Sequence, residues 1–168
     1  GWLDRAVAAA EGNGILRFTR AGILRKLGRL QEALWEYQRA VALVPQFQPA
    51  WTNLTAVLQD LERYEEALPA AQRAVELDPQ CPIAQYNLGH AYAELGEPWR
   101  AIEHYERAAA LAPDHLVARW NLAVCRLLTG DFERGWPDFE LRVAASQVHH
   151  DLYPQPRWQG EPLEGKTL

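Results

Sequence analysis

Apolar residues fall at steps of three and four through most of this chain. Ala84, Leu88, Ala91 and Tyr92 lie on one helix face, because about 3.6 residues complete a turn. Gly96 interrupts the pattern, as glycine does between helices. Ala101, Tyr105, Ala108 and Leu111 resume it as far as Pro113, whose missing amide hydrogen stops a helix. The pattern predicts a unit of two helices joined by a short turn.

The unit recurs. Pro45, Pro79 and Pro113 lie 34 residues apart, as do Ala40, Ala74 and Ala108, and Leu43, Leu77 and Leu111. Ala33, Ala67 and Ala101 keep the same step, with Gly135 continuing it. Gly28, Gly96 and Gly130 share one position, which Glu62 interrupts. The frame gives four repeats, 14–47, 48–81, 82–115 and 116–149. Residues 1–13 read as the end of an earlier repeat, since Leu3 and Ala6 fall where Tyr37 and Ala40 fall later. Small residues at Ala33, Ala67 and Ala101 let paired helices approach closely. Tyr37, Tyr105 and Phe139 fill space a turn further on. One helix pair cannot cover its own apolar face, so neighbours stack on it, and the apolar positions read as core. In the fourth repeat Gly135, Arg142 and Gln147 replace Ala, Ala and Pro. That change suits a terminal cap or a junction to another domain, with the last helix running on toward His149.

A period of 34 residues, with segments such as Leu27-Gly28-Arg29-Leu30-Gln31-Glu32-Ala33-Leu34 and Tyr86-Asn87-Leu88-Gly89-His90-Ala91-Tyr92, resembles the tetratricopeptide repeat. The resemblance covers about residues 1–149. It implies an all-α fold, a right-handed superhelical solenoid, whose concave face is lined by the first helix of each pair. It also implies a module that binds protein or peptide and is not itself an enzyme.

On those first helices Asn53, Asn87 and Asn121 lie 34 residues apart, with Thr19 in the equivalent place of the first repeat. An amide side chain offers an acceptor and two donors, so a ladder of amides could hold the backbone of an extended peptide. The alternative is that they bond within the solenoid, as Asn on a helix does locally. The spacing resembles the Asn ladder in the superhelix of O-linked N-acetylglucosamine transferases. Tyr86, Trp120 and His90 are further groove candidates, and Arg25 and Lys26 make its first part basic. The middle is acidic through Asp60 and Glu94, and the far end apolar through Val124, Leu127 and Leu128. Exposed aromatic residues are common anchors. Some members of the family clamp chaperone C-terminal carboxylates with Lys, Asn and Arg. Here Phe18 and Gly22 stand where the first Lys and Asn of that clamp would be, and Asn53 alone matches.

Composition removes other classes. The 168 residues carry 17 basic and 22 acidic side chains, a formal charge of −5, against the basic surplus a nucleic-acid backbone requires. No run reaches the roughly 18 apolar residues of a membrane span. Cys81 and Cys125 are too few for a disulfide framework and too far apart for a zinc pattern. Cys125 falls on an apolar face and reads as core. His149-His150-Asp151 is a poor chelate, because adjacent helical residues point about 100° apart. His104 and His115 read as surface positions. Neither a catalytic constellation nor a cofactor or metal is expected. The absence of a signal sequence favours the cytoplasm.

The sequence holds no methionine and ends in Gly165-Lys166-Thr167-Leu168, which reads as part of a longer protein. Residues 150–168 form a non-repetitive tail or linker. Gly130-Asp131-Phe132-Glu133-Arg134-Gly135-Trp136, followed by Pro156-Arg157-Trp158-Gln159-Gly160-Glu161-Pro162-Leu163, resembles bacterial proteins in which these repeats precede a glycosyltransferase-like domain. That resemblance implies a substrate-recruiting role. A third expectation is a scaffold that self-associates through its ends.

Overall fold

The computed structural model describes residues 12–139. Within them the chain forms helices α1 (Gly14–Lys26), α2 (Leu30–Leu43), α3 (Gln48–Asp60), α4 (Tyr64–Leu77), α5 (Pro82–Glu94), α6 (Pro98–Leu111), α7 (Leu116–Leu128) and α8 (Phe132–Phe139). The expected earlier repeat (apart from Gly12 and Asn13), the last helix beyond Phe139, the His149-His150-Asp151 group and the tail lie outside the described residues.

The ends of the helices follow from local chemistry. Asn13 caps α1, its Oδ1 accepting from the Ile15 and Leu16 amides at 3.0 and 3.1 Å. Proline occupies the first turn of α3, α5 and α6, where no amide hydrogen is needed. After each odd-numbered helix the chain reverses through one bond: Arg29, Arg63, Glu97 and Asp131 donate to the carbonyls of Leu24, Leu58, Tyr92 and Arg126 at 2.8–2.9 Å. This closure needs one left-handed residue. Gly28, Gly96 and Gly130 supply it with φ of 72°, 78° and 85°, and Glu62 adopts φ 57° in the same place. A side chain there costs about 1–2 kcal/mol, so the repeat geometry overrides the residue's own preference.

Consecutive helices pack in antiparallel pairs, and the odd-numbered helices also touch one another along the series α1, α3, α5 and α7. These helices therefore form the inner, concave wall of a right-handed solenoid. Ala33, Ala67 and Ala101 are fully buried between paired helices.

Numbering each repeat 1–34 from residues 14, 48, 82 and 116 exposes three polar registers. Within a repeat, position 4 meets position 23: Arg17 Nη1 donates to Glu36 at 2.9 Å, Arg119 Nη2 to Asp138 at 2.6 Å, and His104 Nδ1 lies 2.9 Å from Gln85 Oε1. In the second repeat Trp51 and Ala70 hold those positions within the apolar core. Between repeats, position 25 meets position 11, as Gln72 Nε2 donates to the Tyr92 hydroxyl at 3.2 Å and Arg126 Nη2 to Glu106 at 2.8 Å. The third register joins the inner helices and concerns the asparagines.

Candidate binding groove

Asn87 is buried, and its Nδ2 donates to the Thr52 carbonyl at 3.3 Å. Asn121 Nδ2 donates to the Tyr86 hydroxyl, also at 3.3 Å. Both reach back 35 residues, from position 6 of one repeat to position 5 of the one before. Gln59 Nε2 reinforces the junction between the second and third repeats, donating to the Asn87 carbonyl at 2.7 Å. Asn53 is half-buried and its amide makes no hydrogen bond. The three asparagines share a column but not a situation: two tie neighbouring helices and one is open. Thr52, a groove position by spacing, is buried.

The middle of the groove is an aromatic cluster. Tyr86 stacks on His90 with centroids 6.0 Å apart, and tilts against His115 at 5.0 Å and Tyr105 at 5.8 Å. Tyr64 meets His90 edge-on at 6.0 Å. Burial pushes the Tyr86 hydroxyl's pKa up, opposed by the Asn121 bond. Burial pushes His90 down, opposed by Glu94, whose carboxylate lies 3.7 Å away. His90 is thus neutral near pH 7, an aromatic surface rather than a fixed cation.

His104 and His115 are half-buried, not free surface positions. His104 stacks on Tyr92 at 5.6 Å, and the His115 ring caps α7 by accepting from the Ala118 amide at 3.1 Å. Trp120 is half-buried with its Nε1 buried and unbonded. Leu127 turns from the groove toward Gly135, where any Cβ would meet it at 2.7–2.8 Å. Cys125 is buried and its thiol is pushed up to about 11 by that burial. Among the described residues no group of His, Cys, Asp and Glu could hold a metal. No described helix is long and apolar enough to cross a membrane.

At the first junction Gly22, Arg25, Lys26, Tyr37, Asn53 and Asp60 line an open pocket of about 380 Å³. Arg25 Nε donates to Asp60 Oδ2 at 2.6 Å, and chiefly this bond raises the guanidinium's pKa.

Spacing alone did not single out Ile15, Pro49, Ile83 and Val117. They occupy position 2 of the four repeats and all are exposed. A helix period places position 2 on the face of positions 5, 9 and 13. On α5 that face holds Ile83, Tyr86, His90 and Glu94. An uncovered apolar row thus runs along the concave wall. Its 34-residue spacing was readable, but the mixture of Ile, Pro and Val hid it.

The family model for the tetratricopeptide repeat matches residues 57–115 and 90–147, together more than half of the chain. This chain belongs to the tetratricopeptide repeat family. Among solved structures it is similar to a crystal structure of MamA, with 21% identity, 86% of this chain and 84% of that one covered, and a TM-score of 0.75. A MamA from Desulfovibrio magneticus RS-1, residue 41 to its end, gives 22% identity, 83% and 78% coverage, and a TM-score of 0.72. The first tetratricopeptide domain of Spaghetti (RPAP3), bound to an HSP90 peptide SRMEEVD, gives 21% identity, 70% and 94% coverage, and 0.68. Among curated proteins no sequence matches. At these identities the likeness establishes the fold.

Proposed function

We propose that this tetratricopeptide solenoid is a protein–protein interaction module that takes an extended segment of its partner along the concave wall. The observation that carries this reading is the exposed row Ile15, Pro49, Ile83 and Val117 beside the Tyr86–His90 cluster. Burying apolar side chains on this row would stabilise a complex by about 25 cal/mol per Å² removed from water, less the cost of ordering the segment. The peptide-bound RPAP3 domain of the same fold supports it. Asn53, with its free amide, would hold backbone, while Asn87 and Asn121 spend their nitrogens on the solenoid.

The test is capture of unstructured peptides from a random library. Ile15→Ser/Ile83→Ser/Val117→Ser removes only exposed side chains, so helicity should be retained and capture should fall at least about tenfold. Trp99→Ser, on the outer helix α6, should leave capture unchanged. Asn53→Ala should weaken capture at full stability. Asn87→Ala should instead lower stability by about 1 kcal/mol. Equal capture by the triple serine variant and the native protein would place recognition elsewhere.

A second reading rests on the outer faces of the first and last described repeats. Position 10 is buried as Val57, Ala91 and Cys125, yet Ile23 is 57% exposed. Position 21 is covered in Leu34, Leu68 and Ile102, yet Trp136 is 57% exposed. We infer that the end faces of two copies stack head to tail, as successive repeats do within one. Light scattering over a hundredfold concentration range should show growing mass that Ile23→Glu abolishes. A constant monomer mass contradicts this reading. Delivery of acceptor proteins to a glycosyltransferase-like domain remains a proposal carried by sequence 130–163 alone; translating the frame past Leu168 tests it.

A further inference from the structure

A second pocket lies off the concave wall, where the outer helices α6 and α8 meet the flank of α7. It is open, of about 330 Å³, and its lining includes Glu106, Ala109, Pro113, Arg119, Arg126 and Asp138. That volume falls in the range of small-ligand sites. In the two preceding repeats a side chain serves the corresponding proline carbonyl. Trp51 Nε1 and Gln85 Nε2, both at position 4, donate to the carbonyls of Pro45 and Pro79, each at 2.9 Å. In the fourth repeat position 4 is Arg119, which bonds Asp138 at 2.6 Å instead. Among the described residues nothing donates to the Pro113 carbonyl. At position 28 Ala109 stands where Val41 and Val75 stand earlier, which leaves room. The same pocket holds an unspent donor. Arg126 Nη2 is engaged by Glu106 at 2.8 Å, but Arg126 Nε is buried without a hydrogen-bond partner among the described residues. A buried N–H ordinarily finds an acceptor.

We propose that this pocket receives a primary carboxamide, whose oxygen accepts from Arg126 Nε–H and whose NH₂ donates to the Pro113 carbonyl. The lining carries two guanidiniums and two carboxylates, already paired with one another as Arg119–Asp138 and Arg126–Glu106. The ligand group is therefore neutral, since an added charge would be left without a counter-charge in a half-buried site. It must also accept one hydrogen bond and donate another. A carboxamide does both from one planar group, whereas a carboxylate only accepts and an ammonium only donates. The third repeat supplies the precedent within the chain. There the carboxamide of Gln85 donates to the Pro79 carbonyl, and its Oε1 lies 2.9 Å from His104 Nδ1. The fourth repeat keeps the carbonyl and lacks the amide. A glutamine or asparagine side chain of a partner and a free small amide present the same chemistry. The site is separate from the concave wall and does not depend on what that wall binds.

The experiment is an NMR titration of the isotope-labelled protein, following Arg126 Nε–H. The probes are the N-acetyl methylamides of glutamine, asparagine, glutamate and norvaline, together with propionamide. The four amino-acid probes share their backbone amides, so differences among them belong to the side chain. A saturable shift is expected with the glutamine or asparagine probe, at least about tenfold tighter than with glutamate or norvaline. Tighter binding of either than of propionamide identifies a partner's side chain as the source, and the reverse identifies a free amide. Ala109→Val, which restores the valine of the first two repeats, should weaken binding at least about tenfold. Arg119→Gln/Asp138→His rebuilds the Gln85–His104 pair in the fourth repeat and gives the chain its own amide, so binding should be lost with helicity retained. Equal binding of the glutamine and glutamate probes, equal binding of glutamine and norvaline, or no saturable shift with any amide would each overturn the proposal on the native protein alone. Undiminished amide binding by the folded Arg119→Gln/Asp138→His variant would overturn it as well.

Discussion

Gly89→Thr is expected to destabilise the protein by about 3 kcal/mol, the upper range for overpacking a core. A Cβ at Gly89 would lie 2.9 and 3.0 Å from ring carbons of Tyr105 and 3.2 Å from the Ala101 carbonyl oxygen. Tyr105 is 1% exposed and cannot swing into solvent, and the carbonyl belongs to the helix backbone of α6. Threonine is nonetheless the residue the fold accepts one repeat earlier. Thr55 occupies the equivalent position and is fully buried, and there the residue equivalent to Tyr105 is Ala71. The first, third and fourth repeats set an aromatic residue of the second helix (Tyr37, Tyr105, Phe139) against Ala21, Gly89 or Ala123 of the first, whereas the second repeat pairs Thr55 with Ala71. A double-mutant cycle in urea makes this quantitative. Tyr105→Ala alone leaves a cavity costing about 3–5 kcal/mol. Adding Gly89→Thr to it should recover about 2 kcal/mol, within the range of coupling between touching residues. Strict additivity would show that the two positions do not share one space.

Glu36→Ala is expected to cost about 3 kcal/mol. The carboxylate is 2% exposed and bridges two guanidiniums, Arg17 at 2.9 Å and Arg20 at 3.0 Å. Removing one side of a buried pair costs about 3–5 kcal/mol, because the charge left behind has lost its compensation. Arg20 is largely exposed and regains water, which places the value at the low end. Glu36→Gln keeps an acceptor for Arg17 and should cost roughly half as much. Both losses, read from urea midpoints, should change little between low and high salt, since buried pairs are screened weakly. A loss under about 1 kcal/mol would mean that the pair behaves as a surface contact.

The two examples separate what the sequence discloses from what it conceals. Positions that keep one identity, such as Ala33, Ala67 and Ala101 or the prolines after each second helix, announce the period, the helix pairs and the core. Arg17–Glu36, Trp51–Ala70, Gln85–His104 and Arg119–Asp138 are one structural register written in three chemistries, an ion pair, an apolar contact and a neutral hydrogen bond. No column is constant there, so only the folded register brings the partners together. Asn53, Asn87 and Asn121 mislead in the opposite way. Their identity is constant, but the amide can turn to the groove or to the preceding helix, and the neighbour decides. Asn121 bonds the Tyr86 hydroxyl and Asn87 the Thr52 backbone carbonyl, whereas Asn53 makes neither kind of bond to the preceding repeat.

The central claim is that the inner wall binds the partner segment. It is tested most directly by placing a photoreactive side chain at Ile83, on the inner wall, or at Glu103, on the outer helix α6, and irradiating each with a captured peptide. The account predicts a peptide adduct from position 83 and none from 103. An adduct from 103 with none from 83 would contradict it, and would move the binding surface to the convex side.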